Sequence, residues 1–136
     1  MKERGEFDGA NAMTARRKAL GDFGERYARE RLERFGYRIL GAKVRLPSGE
    51  LDLVAQDGRT TALIEVRTKQ SRRFGSGEES ITRAKQEKLA TLASEYLEAH
   101  PEVGDDWRVD IIAIDVAGDG RVVRFAHLKN AVEEPD

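Results

Sequence analysis

The chain has 136 residues, the length of one domain with one core, and 39% hydrophobic against 36% charged residues indicates a globular protein. The absence of cysteine excludes a disulfide framework, a cysteine nucleophile and thiolate metal sites. No apolar run approaches the ~18 residues of a membrane helix, and no signal-peptide pattern follows the start, so we expect a cytoplasmic protein with no membrane partner.

The net charge of −1 hides an uneven distribution. Residues 1–46 carry +5, residues 47–66 carry −3, residues 67–94 carry +4 and residues 95–136 carry −7. A small acidic centre therefore lies between two basic stretches. Basic stretches attract phosphate backbones and acidic clusters can hold a divalent cation, although solvated helix faces produce the same counts.

The predicted organisation is a mobile extension over residues 1–15, a single domain over residues 16–132 and a tail over residues 133–136. Met13 is an alternative start. Helical periodicity of apolar residues and alternation typical of strands then divide the domain. The predicted helices are Arg16–Phe35 and Glu79–Glu98, and the predicted strands are Tyr37–Leu46, Glu50–Gln56, Arg59–Lys69, Trp107–Val116 and Arg121–Leu128. This order, α-β-β-β-α-β-β, predicts an α/β fold with a mixed central sheet of about five strands flanked by helices.

The second and third strands carry the most informative residues. Asp57-Gly58 is a strong hairpin turn, which makes these strands antiparallel neighbours and brings Asp52 close to Glu65. Alternation places Glu50 on the face of Asp52, opposite Leu51, Leu53 and Ala55, and it places Arg67 and Lys69 on the face of Glu65.

Two carboxylates at this separation repel each other unless a cation or a proton lies between them. A hard ion such as Mg²⁺ prefers carboxylate oxygens together with water and phosphate oxygens. The alternative is a hydrated edge hairpin in which Glu65 pairs with a basic neighbour.

Two helical residues bear on this choice. Glu25 lies at the margin of the apolar stripe of the first helix, from which its carboxylate can lean toward the sheet. Lys85 lies within the apolar stripe of the second helix, where a lysine either extends to solvent or reaches an acidic partner.

Several short motifs in this order resemble the bacterial YraN family. They are Gly21-x-x-Gly24-Glu25-x-x-Ala28, Gly36-Tyr37, Gly49-Glu50-Leu51-Asp52, Glu65-Val66-x-x-Lys69, Lys85, Val109-Asp110-Ile111-Ile112 and His127-Leu128-x-Asn130-Ala131. The family is placed among PD-(D/E)XK nucleases, close to archaeal Holliday-junction resolvases. The resemblance spans roughly residues 18–132 and implies a restriction-endonuclease-like core with a Mg²⁺-dependent or Mn²⁺-dependent site on the hairpin.

The resemblance also implies roles for individual residues. Asp52 and Glu65 would be metal ligands, Glu25 would complete the acidic site directly or through a water, and Glu50 would be a supporting or alternative ligand. Lys85 would approach the scissile phosphate. No small organic cofactor is implied.

One departure from the family pattern concerns the lysine of the Glu-x-Lys motif, because Arg67 stands at that position. An arginine can grip a phosphate but cannot act as a base. If the family's lysine only stabilises charge or positions a water, Arg67 would serve in its place. Lys69 shares the face of Arg67 and would substitute as the catalytic cation if the strand bulges, since it stands about 7 Å farther along the strand.

The leading hypothesis is a metal-dependent endonuclease acting on branched or structured DNA, as a homodimer by analogy with resolvases. Arg72, Arg73, Lys85 and Lys88 are the predicted phosphate contacts, together with the basic first helix. Two alternatives remain. One is a nucleic-acid-binding module that has lost cleavage through Arg67, and the other is a protein-interaction scaffold that uses the acidic C-terminal third.

Overall fold

The computed structural model describes residues 9–70 and 82–132, with side chains from residue 12 onward. Two helices and five strands alternate along the chain in the predicted order. They are α1 (Gly9–Arg34), β1 (Arg38–Leu46), β2 (Gly49–Asp57), β3 (Thr60–Gln70), α2 (Arg83–Ala99), β4 (Trp107–Val116) and β5 (Val122–Leu128), with a 3-10 turn at Pro101–Val103. The predicted α/β class is confirmed.

The five strands form one sheet in the order β1-β2-β3-β4-β5. β3 and β4 run parallel because α2 connects them, and every other neighbouring pair is antiparallel. The predicted mixed sheet is therefore confirmed, and its central strands β2, β3 and β4 carry most of the fully buried residues.

Each helix covers one face of the sheet, so the core has two halves. On the α1 side, Ala28 and Leu32 of the helix pack against Leu53, Ile64 and Ile112 of the strands. On the α2 side, the helix contributes the buried residues Leu89, Leu92, Ala93 and Tyr96 to a cluster with strand residues Leu51, Leu63 and Ile111. This three-layer arrangement leaves the ends of the strands as the places where polar side chains from different elements can meet.

The helix boundaries differ from the predicted ones. α1 begins at Gly9, seven residues before Arg16, so residues 9–15 are helical where the sequence predicted an extension without regular structure. Alanine-rich segments favour helix without an apolar period, and periodicity therefore missed this turn. Phe35, predicted on the apolar stripe, lies beyond α1 and is 68% exposed. α2 begins at Arg83, four residues after the predicted start, because the Thr82 side chain caps it.

A close approach fixes where α1 crosses the sheet. A Cβ atom added at Gly24 would overlap the side chain of Thr68 on β3, lying 2.8 Å from its Cβ and closer still to its hydroxyl. Only glycine permits this contact, and the next residue, Glu25, lies beside Asp52 of β2. Within the described ranges, neither helix is long and apolar enough to cross a membrane.

Candidate active site

The candidate site lies where β2 separates from β3. The two strands pair from the turn at Asp57 and Thr60 up to Leu53 and Ile64, and the ladder ends there. β3 continues beyond this point as the partner of β4. Asp52 and Glu65 are the next residues on their strands, so they stand at the mouth of the opening, close to each other as predicted.

β1 is irregular at the same level. Ala42 pairs with Leu53 and Val44 pairs with Leu51, while Lys43 between them has a left-handed backbone with φ of 50°. Leu51 packs in the α2-side core and Leu53 in the α1-side core, so the prediction that they share one face was wrong. Alternation requires an unbroken pleat, and here the pleat breaks at Asp52.

Three carboxylates from three elements converge at this break. Asp52 lies beside both Glu65 of β3 and Glu25 of α1, close enough for each to influence its pKa. The backbone N–H of Val66 donates to Asp52 Oδ2 at 2.7 Å. Glu25 therefore leans toward the sheet as its place on the helical wheel predicted, and its side chain is only 18% exposed.

The proximity of these carboxylates changes their protonation. Burial raises the pKa of Asp52 to about 8, the charge of Glu65 adds to this effect, and the hydrogen bond from Val66 opposes it. Burial also raises the pKa of Glu65, although the hydrogen bond from Asp52 and the positive charges of Lys85 and Arg67 act in the opposite direction. Near neutral pH, a proton on Asp52 is donated to Glu65 and keeps the pair together.

Lys43 completes the α1 side of the site. Its Nζ lies 2.9 Å from Glu25 Oε1 and 3.2 Å from Asp22 Oδ1. The hydrogen bond to Glu25 raises the pKa of Lys43, which stays a cation. The sequence did not predict a role for Lys43, because the left-handed backbone at this residue has no local sequence signal.

On the α2 side, the site opens into a cavity of about 270 Å³. Its polar lining is Glu50, Glu65, Arg67, Lys85 and Lys88. The Thr82 hydroxyl accepts a hydrogen bond from the N–H of Lys85 at 3.1 Å, which fixes the first turn of α2 beside Glu65. The sequence predicted that Lys85 either extends to solvent or reaches an acidic partner. Its side chain is exposed, and its positive charge still lowers the pKa of Glu65.

The remaining predicted residues divide into three groups. Glu50 lines the cavity but is paired with Arg45 at 3.4 Å, so it stands apart from the three converging carboxylates. Lys69 is exposed two residues beyond Arg67 and is not among the described residues that line the cavity. Arg72 and Arg73 lie outside the described residues.

The carboxylates suit a hard divalent cation by their chemistry. Carboxylate oxygens are the preferred ligands of Mg²⁺, and a bound cation would offset both the burial and the neighbouring negative charge that raise the pKa of Asp52. Across the part of the chain that the structure describes, no three Asp, Glu or His side chains already form a group ready to hold a metal. The contacts from Lys43 to Glu25 and from Val66 to Asp52 occupy oxygens that a cation would use.

A second buried polar cluster surrounds Asp110 and is structural. This fully buried carboxylate accepts hydrogen bonds from Arg108, from His127 Nε2 at 2.9 Å and from the N–H of Asn130 at 2.9 Å. Burial alone would raise the pKa of Asp110, but these hydrogen bonds and the charge of Arg108 lower it. The cluster ties the segment after β5 to β4, which explains two of the motifs named above. An aspartate within a continuous apolar strand is the sequence signal for it.

Comparison with known proteins identifies the family. Residues 24–114 match the Uncharacterised protein family UPF0102. The chain belongs to this family. It is 42% identical to the UPF0102 protein of Roseiflexus castenholzii over 90% of this chain and 99% of that one. It is also 42% identical to UPF0102 protein STH1475 of Symbiobacterium thermophilum, over 82% of this chain and 94% of that one.

UPF0102 is the YraN family, so the resemblance carried by the sequence motifs is confirmed. Among solved structures, the UPF0102 chain is similar to Pyrococcus furiosus SfsA in complex with Ca²⁺, with a TM-score of 0.35 and 14% identity. The similarity covers 90% of this chain and 65% of that one. A similarity this slight carries no argument about function.

Proposed function

We propose that this protein is a Mg²⁺-dependent or Mn²⁺-dependent endonuclease that hydrolyses phosphodiester bonds in branched or structured DNA. The observation that carries the proposal is the placement of Asp52 between Glu25 and Glu65, where burial and like charge raise its pKa to about 8. A folded protein keeps such a costly arrangement mainly at functional sites.

Each group has a role in this proposal. Asp52 and Glu65 hold the divalent cation, and Glu25 completes the site directly or through a water. When bound, the ion lowers the pKa of a water and neutralises charge that develops on the phosphate. Lys85 and Arg67, which line the same cavity as Glu65, contact phosphate oxygens and stabilise their charge.

The test is a cleavage assay on a four-way junction, a flap, a single strand and a linear duplex. The wild type is expected to cut at least one branched substrate when Mg²⁺ or Mn²⁺ is present, and to lose this activity in EDTA. Asp52→Asn and Glu65→Gln should each lower the rate by about a hundredfold or more, since each removes a metal ligand. Asp105→Asn, at an exposed loop position, controls for the loss of one negative charge.

A second candidate function is binding of branched DNA without cleavage, and Arg67 favours it. Where the family pattern has lysine, the guanidinium of Arg67 cannot release a proton and so cannot act as a base. Arg67→Lys discriminates between the two. If the wild type does not cleave and Arg67→Lys does, the natural protein binds DNA without cutting it. If the wild type and Arg67→Lys cleave at comparable rates, only the positive charge at position 67 is needed.

A further inference from the structure

A second cavity lies on the opposite face of the sheet and reaches the same carboxylates. It has a volume of about 250 Å³ and lies between α1 and the first two strands. Its lining is Asp22, Glu25, Arg26, Arg29, Ala42, Lys43 and Leu53. Glu25 lines this cavity, Glu65 lines the one beside α2, and Asp52 lies beside both carboxylates.

The two cavities have matching charge. Each is lined by two carboxylates and three cations, so both surfaces are positive overall around a shared acidic centre. Lysine and arginine beside an acidic site attract phosphate groups, which carry the negative charge of nucleic acids. The sequence predicted phosphate contacts from the basic first helix as well as from Lys85 and Lys88, and the α1-side cavity identifies which residues of that helix are placed to make them.

Two arginines of the α1-side cavity are available for a ligand. Arg26 and Arg29 are exposed and form no hydrogen bond or ion pair with any other described residue. Arg31 of the same helix differs, because its guanidinium packs 4.6 Å from the centre of the Phe125 ring. Lys43 is also engaged, with Glu25. The fold therefore uses some cations internally and leaves this pair facing the cavity.

We propose that Arg26 and Arg29 form a second phosphate-binding surface, which holds one arm of a branched DNA while Lys85 and Lys88 hold another. This inference rests on the proposed function. The sheet separates the two surfaces, so a straight duplex lying along one face does not reach the other. Two arms that diverge from a branch point at Asp52 can contact both faces.

The test compares binding of a labelled four-way junction and of a linear duplex of matched length by fluorescence anisotropy in EDTA, where metal-dependent cleavage cannot occur. The variants are Arg26→Gln with Arg29→Gln, and Lys85→Gln with Lys88→Gln. Arg59→Gln with Lys129→Gln is the matched control, because it also removes two exposed positive charges, and neither residue lines either cavity. Thermal unfolding checks that every variant is folded.

The arginine pair variant should bind the junction about tenfold or more weakly, with a dependence on salt shallower by about two in log–log slope. It should bind the linear duplex like the wild type, whereas the lysine pair variant should weaken both ligands. Junction binding by the arginine pair variant equal to that of the control pair would overturn the inference. In that case, weaker binding by the lysine pair variant would still uphold the proposed function. Equal weakening on both ligands would also overturn the inference, because one continuous surface would then be sufficient. A wild type that binds neither ligand would refute both proposals.

Discussion

Replacing Asp52 with asparagine is expected to stabilise the metal-free protein at neutral pH, even though it removes a proposed metal ligand. The pKa of Asp52 is raised from its ordinary 3.8 to about 8, so between these values the folded chain holds a proton that the unfolded chain has released. Asparagine has the shape of the protonated carboxyl group. Its oxygen can still accept from Val66 and its amide can donate toward Glu65.

The magnitude follows from the two pKa values. When folding raises the pKa of an acid, the contribution of that acid to the free energy of unfolding is fully present below about pH 4. This contribution is lost as the pH rises toward about 8, at about 1.36 kcal/mol per pH unit. Between about pH 5 and about pH 7.5, the wild type should therefore lose about 3 kcal/mol relative to Asp52→Asn.

Urea unfolding in EDTA at the two pH values measures this difference. The account predicts that Asp52→Asn is more stable than the wild type at both, and that the gap widens at the higher pH. Asp105→Asn should show no such widening. A gap that stays constant with pH, or a variant less stable than the wild type at about pH 7.5, would refute the assignment of a strained carboxylate pair.

Three further predictions concern packing, the buried cluster and metal. Gly24→Ala should destabilise the fold by about 1–3 kcal/mol in urea unfolding, because the added Cβ collides with Thr68, whereas Gly21→Ala, with nothing within 4 Å, should be neutral or stabilising by up to about 1 kcal/mol. Equal effects would contradict the close approach. Asp110→Asn should cost about 3–5 kcal/mol, because it leaves buried donors without their charged acceptor, and a cost below about 1 kcal/mol would contradict the cluster's structural role. Mg²⁺ at a hundredfold excess over its Kd should raise wild-type stability by about 2.7 kcal/mol in thermal melts, and Glu65→Gln should not respond.

The juxtaposition at the centre of the site could be predicted from the sequence because it depends on local rules. The sequence predicted a hairpin turn at Asp57-Gly58, and the turn lies one residue later: Asp57 pairs with Thr60, so Gly58 and Arg59 are the two turn residues. This register sets Asp52 opposite Glu65. Gly58 has the positive φ, 62°, that such a turn requires. Glu25 followed from helical periodicity for a similar reason.

What could not be predicted depends on where regular structure ends. The face of Leu51 changes because the ladder between β2 and β3 stops at Leu53, and only tertiary packing decides that point. Lys43 enters the site through a left-handed backbone within β1. Helical periodicity included Phe35 as the last residue of the first helix, but α1 ends at Arg34 and Phe35 is exposed.

The role of Gly24 also needed the fold. A glycine in a helix interior is unfavourable, so its presence there indicates a special requirement, but the sequence does not say which neighbour imposes it. The structure identifies this neighbour as Thr68 of β3, four residues beyond Ile64, where the pairing of β3 with β2 ends. This contact explains why position 24 is a glycine.

The central claim is that Glu25, Asp52 and Glu65 form a divalent-cation site, and calorimetric titration of Mg²⁺ and Mn²⁺ tests it most directly. The titration is made on the wild type and on the double variant Asp52→Asn with Glu65→Gln, first alone and then with four-way junction DNA carried by both. The account predicts saturable binding to the wild type in at least one of these conditions and none attributable to the protein in the double variant. Identical titration curves for the two proteins with and without DNA would contradict it.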